Sequence, residues 1–177
     1  KIRKDDPHYP VLLLEIYDPP EQLYCRGNIS LLNSFCFGIV GTRKITSYGK
    51  EATEYITGQI SSFFTIVSGL ALGVDTTAHR TAVEQGGKTI AILGTGIDDK
   101  TIFPQTNLKL AHEILEKDGL ITSEYPARSE ARPWTFPARN RIISGLSKGV
   151  IIIEADEKSG AMITAKHALD QGRDVFA

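Results

Sequence analysis

A chain of 177 residues, 41% of them hydrophobic, is long enough for one domain with a full core and has no need of disulfide staples. Its two cysteines, Cys25 and Cys36, make no CxxC and no metal-ligand spacing, so both are expected as reduced, buried thiols of an intracellular protein. A formal charge of −1 excludes a global polycation, and no apolar run approaches the roughly 18 residues of a membrane-spanning helix.

Residues 1–34 are turn-rich and cut by Pro10, Pro19 and Pro20; they are expected to form an approach segment, with one short strand or helix, packed on the core. From Phe35 a regular alternation begins. FCFGIV (35–40) reads as a strand and residues 47–62 as a helix with Tyr48, Ala52, Tyr55, Ile56, Ile60 and Phe63 on one face. FTIVS (64–68) is the next strand, followed by a helix whose Val74, Ala78 and Ala82 share a face and which Gly86-Gly87 ends. KTIAILG (88–94) is a strand, 107–117 a helix and GLITSEY (119–125) a strand. A long turn holds Pro126, Pro133 and Pro137, and a helix is expected over 138–147. VIIIEA (150–155) is a strand, a helix spans about 159–171, and DVFA (174–177) opens a last strand.

About six near-continuous apolar strands alternating with helices define an α/β fold: a Rossmann-like, doubly wound, mostly parallel sheet with helices on both faces. This unit spans 35–177 and halts inside an apolar run, so the domain is expected to be C-terminally incomplete. In such sheets ligands sit outside the carboxyl ends of the strands. The loops there begin at Gly41, Ser68, Gly94, Glu124 and Glu154.

In the first loop Gly41 and Thr42 permit a tight exit, Arg43 extends over the crevice, and Ser47 is the expected helix cap. In the second, Ser68, Gly69, Leu70, Ala71 and Gly73 form a turn of mostly small residues that lets backbone approach a ligand. No GK[ST] follows, so nucleoside triphosphate hydrolysis is not indicated. Asp75 and His79 lie four apart on one helical face and are expected to hydrogen-bond; no third ligand at zinc spacing follows, so no metal is expected. Gly94-x-Gly96 lacks the third glycine of the dinucleotide fingerprint and follows the third strand, so no cofactor is expected.

The last two loops carry the most charge. Residues 126–148 hold Arg128, Arg132, Arg139, Arg141 and Lys148 against Glu130 alone, a local +4, which leaves −5 on the other 154 residues. Arg139, Asn140 and Arg141 open the expected helix at 138–147, and cations there oppose its dipole unless an anion lies in front. That anion is a carboxylate such as Glu124 or Glu154, a small phosphorylated ligand or a nucleic-acid backbone. Ser159 caps the next helix, leaving N–H groups near Gly160 free for a phosphate oxygen, with Thr164 a turn further in. Trp134 and Phe136 among these arginines are either loop anchors or a base-stacking platform.

In order along the chain stand VGTR (40–43), YG (48–49), SGLALGVDTTAH (68–79), GKTIAILGTGID (87–98), Pro-x-x-Asn (104–107), GLITSEYP (119–126), FPARNRIISGLS (136–147), IIIEA (151–155) and SGAMITA (159–165). Together they closely resemble the Rossmann-like domain of the DNA-processing protein A (DprA, or Smf) family, with Phe103 where tyrosine is usual and Ala161-Met162 where Ser-Leu is common. The resemblance implies a bacterial, cytoplasmic, dimeric protein, not known as an enzyme. Such proteins bind single-stranded DNA and hand it to the RecA recombinase during natural transformation. It places the DNA pocket at Arg43, the Ser68–Gly73 turn, Arg139-Asn140-Arg141 and Ser159-Gly160, and it implies flanking domains. The competing expectation is an enzyme acting on a nucleotide or phosphoribosyl compound with Glu154 as acid/base, although no activated nucleophile or metal cluster accompanies it.

Overall fold

The computed structural model describes residues 1–157 and 159–177. Eight strands form one sheet: β1 (Ile2–Arg3), β2 (Gln22–Gly27), β3 (Cys36–Gly41), β4 (Thr65–Ser68), β5 (Thr89–Ile92), β6 (Leu120–Ser123), β7 (Gly149–Ile153) and β8 (Asp174–Phe176). Their spatial order is β1-β2-β6-β5-β4-β3-β7-β8. Strands β3 to β8 are parallel, as the continuous apolar runs predict, and β2 is antiparallel to both of its neighbours.

Six α-helices connect the strands: α1 (Val11–Leu14), α2 (Ser47–Ile60), α3 (Val74–Glu84), α4 (Leu108–Glu116), α5 (Thr135–Leu146) and α6 (Gly160–Asp170). Helices α2, α3 and α4 pack side by side on one face, and α1, α5 and α6 on the other, which makes the fold doubly wound. The chain winds outward from β3 to β6, then crosses through α5 to β7 on the other side of β3. The topological switch point therefore lies between β3 and β7.

Each face has its own core. Val74, Ala78 and Ala82 of α3 are fully buried with Ile39 and Ile66, and Leu110, Ala111 and Ile114 of α4 pack with Leu93 and Ile121. On the opposite face Ile142, Ile143 and Leu146 of α5 meet Leu13, Ile16 and Leu23 of the N-terminal segment. That segment supplies β2 and α1 to the sheet and core. Tyr9 anchors it by donating its hydroxyl proton to the Pro20 carbonyl at 2.6 Å.

Three local expectations are corrected. Helix α5 begins at Thr135, not at 138, because Pro137 falls in the first turn, where a missing N–H costs nothing. Thr46, not Ser47, caps α2, accepting from Gly49 N–H at 3.1 Å. The inward face of α2 is Gly49, Thr53 and Thr57, with Ala52, Ile56 and Ile60 at its margin, while Tyr48, Tyr55 and Phe63 are exposed. Small residues allow α2 to lie close to α3 and to the Glu154 side chain; a Cβ on Gly49 would overlap that carboxylate.

Candidate nucleic-acid interface

At the switch point the carboxyl ends of β3 and β7 diverge and leave a crevice of about 260 Å³. Gly41, Thr42 and Arg43 form one wall, Ser159, Gly160, Ala161 and Thr164 of α6 another, and Phe136, Pro137, Asn140 and Arg139 of α5 a third, with Ala71 and Asp75 closing it. Gly41 is dictated by packing, since a Cβ there would collide with the Ile153 carbonyl and lie 2.6 Å from Val74. Ser159 caps α6 as expected, its hydroxyl accepting from Met162 N–H at 3.4 Å. Gly160 and Ala161 line the crevice, and their N–H groups have no acceptor among the described residues. Such groups at a helix start attract anions.

The floor is held by buried side chains. Arg139 is only 3% exposed and donates from Nη1 to the carbonyls of Gly69, at 2.8 Å, and Ile92, bridging the ends of β4 and β5. Asp75, 6% exposed, accepts from the N–H groups of Gly69 and Ala71 at 3.1 and 3.3 Å. Asn107 donates to the Leu70 carbonyl at 2.9 Å and fixes that residue at φ 57°, a left-handed conformation costly for leucine. Three side chains from three helices or turns thus clamp one tight loop. Burial pushes the Arg139 guanidinium down to about 10, against the pull of Asp75, so it remains a cation at neutral pH. Burial likewise pushes the Asp75 carboxyl up, while Arg139 and the backbone donors pull it down.

The paired arginines part company. Residues two apart on a helix point about 200° away from each other, so when Arg139 faces the sheet Arg141 cannot. Arg141 grips Glu124 bidentately at 2.8 and 2.7 Å and donates to Asp18 at 2.9 Å, with side-chain exposures of 13% for Arg141 and 17% for Glu124. It lies outside the crevice and ties α5 to the N-terminal segment. The expectation that both cations begin the helix and face one anion is therefore replaced: Arg139 braces the floor and Arg141 finds Glu124.

Glu154 does not serve the arginines. Its carboxylate takes the N–H of Thr46 at 2.9 Å and the Thr46 hydroxyl, and these bonds hold its pKa below the ordinary carboxylate range. Asp75 and His79 do not hydrogen-bond either. His79 pairs through Nδ1 with Thr89 at 2.7 Å; because that hydroxyl donates to the Ile66 carbonyl, Nδ1–H must be the donor. Ser68 is buried, bonded to the Ile39 carbonyl, and with Leu70 and Gly73 it shapes the floor without lining the crevice.

Arg43 is the exposed cation of the site. It has no carboxylate partner among the described residues, and its guanidinium lies 5.9 Å from the Phe136 ring centroid. Phe136 in turn meets Phe103 at 5.5 Å. A smaller cavity of about 130 Å³ opens there, between Arg43, Gly69, Leu72, Phe103 and Phe136. Phe103 stands out in the sequence only as a replacement for tyrosine and Leu72 only as part of the Ser68–Gly73 turn; neither is expected from it to line a cavity, and the Phe-Pro dipeptide beside the Pro-x-x-Asn turn is the available signal.

A doubly wound, mostly parallel sheet with an arginine-bearing crevice at its switch point, and no phosphate-loop lysine, defines a Rossmann-like domain with one candidate binding crevice where β3 and β7 meet. The model of the family described as DNA recombination-mediator protein A matches residues 1–177, and the chain belongs to that family. DNA processing protein DprA of Bacillus subtilis (strain 168) is 45% identical over 171 residues, 96% of this chain and 57% of that protein. The solved DNA processing protein A of Streptococcus pneumoniae superposes with a TM-score of 0.93 at 42% identity, over 99% of this chain and 61% of that one. The Helicobacter pylori structure, solved to describe that protein's single-stranded DNA binding mode, gives 0.86 at 37% identity, over 94% and 75% of the respective chains. The chain thus spans little more than half the length of such curated relatives as the Bacillus protein.

Proposed function

We propose that this domain binds single-stranded DNA through the switch-point crevice, as its Helicobacter relative is described as doing, and that it delivers the strand to the RecA recombinase as a cytoplasmic homodimer. The observation that carries DNA binding is the crevice itself. Its lining brings together an exposed Arg43 with no carboxylate partner among the described residues, the Phe136 ring 5.9 Å from that guanidinium, and the N–H groups of Gly160 and Ala161, which have no acceptor among the described residues. Phosphate oxygens are met by the guanidinium and the helix start, and a base is met by the ring. Twelve of the eighteen site residues expected from sequence border the crevice or its smaller neighbour; Ser68, Leu70, Gly73 and His79 lie behind the floor, and Arg141 and Glu154 lie outside it, bound to Glu124 and Thr46. The competing reading, with Glu154 as acid/base, has no observation in its favour. Thr46 engages that carboxylate, and the pKa moves away from what a general acid at neutral pH needs.

Binding of labelled single- and double-stranded oligonucleotides tests this reading. Arg43→Ala should weaken single-strand binding about tenfold at low salt, the size of one lost charge-assisted contact. Arg141→Ala, outside the crevice, should not. Equal affinity of wild type and Arg43→Ala would exclude the crevice as the DNA site. Delivery to RecA is read separately, as faster filament formation on oligonucleotides precoated with a single-strand-binding protein.

A further inference from the structure

Trp134 is the sole tryptophan of the sequence and stands 64% exposed. An indole is among the most costly side chains to leave in water, and it is not a loop anchor here. Its ring is covered on one side by the Arg132 guanidinium, 5.6 Å from the centroid, and Arg132 has no carboxylate partner among the described residues. Two residues on, Phe136 lines the crevice under the Arg43 guanidinium in the same arrangement. One loop–helix junction thus carries two arginine-on-aromatic pairs, the inner one in the crevice and the outer one on the surface. The connection from β6 that presents Trp134 is exposed from Glu130 through Trp134, which sits in a turn at the start of α5.

We propose that Trp134 and Arg132 form a second, outer stacking station for the bound strand: the strand leaves the crevice past Phe136 and lays its next base on the indole. This rests on the DNA-binding reading above and adds to it a residue, a direction and a minimum site size. A stacked base needs an open ring face, which the exposure of Trp134 supplies, and a nearby cation without a carboxylate partner, which Arg132 supplies. Arg132, exposed and without a carboxylate partner among the described residues, keeps the strand's phosphates close to that ring.

Because Trp134 is the only tryptophan, its emission reports the station directly. Titration with oligothymidylates, followed in parallel by anisotropy of an end label, should quench the tryptophan emission for oligomers long enough to pass the crevice. Quenching should fall away for the shortest ones that still bind. Trp134→Ala should weaken binding of the longer oligomers about fivefold or more, the value of one stacked base, while Trp134→Phe retains most of the affinity. Loss of stacking releases no counterions, so Trp134→Ala should leave the salt slope unchanged, whereas Arg43→Ala should flatten it. Anisotropy that rises with no change in Trp134 emission, or unaltered affinity of Trp134→Ala, overturns the station and leaves the crevice reading standing. No binding to the wild-type protein at any length overturns both.

Discussion

Arg139 shows how a single motif residue can commit its charge to the protein's own backbone while still lining the crevice. Its guanidinium lies beneath Gly69, where a Cβ would come within 2.5–2.7 Å of it, and it compensates the buried Asp75 carboxylate. Arg139→Ala would leave the buried Gly69 and Ile92 carbonyls without their donor and the Asp75 carboxyl without that cation's field, at a cost of about 3–5 kcal/mol. For a domain of this size that lowers the melting temperature by roughly 10 °C or more, measurable by calorimetry. Any loss of DNA binding in that variant would follow from a collapsed floor, which is why Arg43 is the better probe. His79 supplies a second test. Burial lowers its pKa from 6.5 to about 3, so between these values the unfolded chain takes up a proton that the folded one refuses. Its contribution to stability is complete above pH 6.5 and is lost as pH falls toward 3, with a slope of up to about 1.4 kcal/mol per pH unit. Urea midpoints measured across that range should fall less steeply in His79→Leu than in the wild type; parallel curves would disprove the buried, neutral imidazole. Nothing in the sequence around SGLALGVDTTAH distinguishes a histidine bonded to Asp75 from one bonded to Thr89, since that choice depends on a strand ten residues further on.

At the scale of elements, legibility followed how local the cause was. Strands β3 to β7 could be read because each is buried on both faces and so is largely apolar, whereas β8 is a short, half-exposed edge strand. The burial of α3 on Val74, Ala78 and Ala82 could be read from their spacing alone. Helix α2 could not: hydropathy favours its tyrosines, but close packing on α3 selects Gly49, Thr53 and Thr57. The role of Gln22–Gly27 was equally hidden, because its pairing with β6 spans about a hundred residues of sequence. Helix α6 offers the sharpest separation of fold from function. Gly160 is its first residue, lines the crevice, and has open space where a Cβ would stand. Gly160→Ala should leave the domain unchanged or about 0.5 kcal/mol more stable, since alanine loses less backbone entropy in a helix. The same methyl would stand where a phosphate must approach the free N–H groups, so oligonucleotide affinity should drop. A variant with higher stability and full affinity would remove α6 from the interface.

For the whole molecule the governing fact is that a protein of charge −1 is proposed to hold a polyanion. Long-range attraction cannot do this, because residues outside 126–148 sum to −5 and would repel DNA at low salt. Binding must come from a few short-range contacts on one edge of the sheet. Among the described residues the exposed cations without carboxylate partners on that edge are Arg43, Lys44, Lys100 and Arg132, while Arg128 is engaged by Asp98. Counterion release contributes a log–log salt slope of about −0.7 per phosphate neutralised on single strands. The domain should therefore show a shallow slope, between about −0.7 and −3, with the helix start and stacked rings supplying the salt-insensitive remainder. Duplex DNA, whose bases are paired and closed to Phe136 and Trp134, should keep only the salt-sensitive part and bind more weakly at every ionic strength. Fluorescence anisotropy across a salt series, with both oligonucleotides, decides this. A slope steeper than about −4, equal for single and double strands, would mean that a broad basic surface does the binding, and the switch-point crevice would lose its claim.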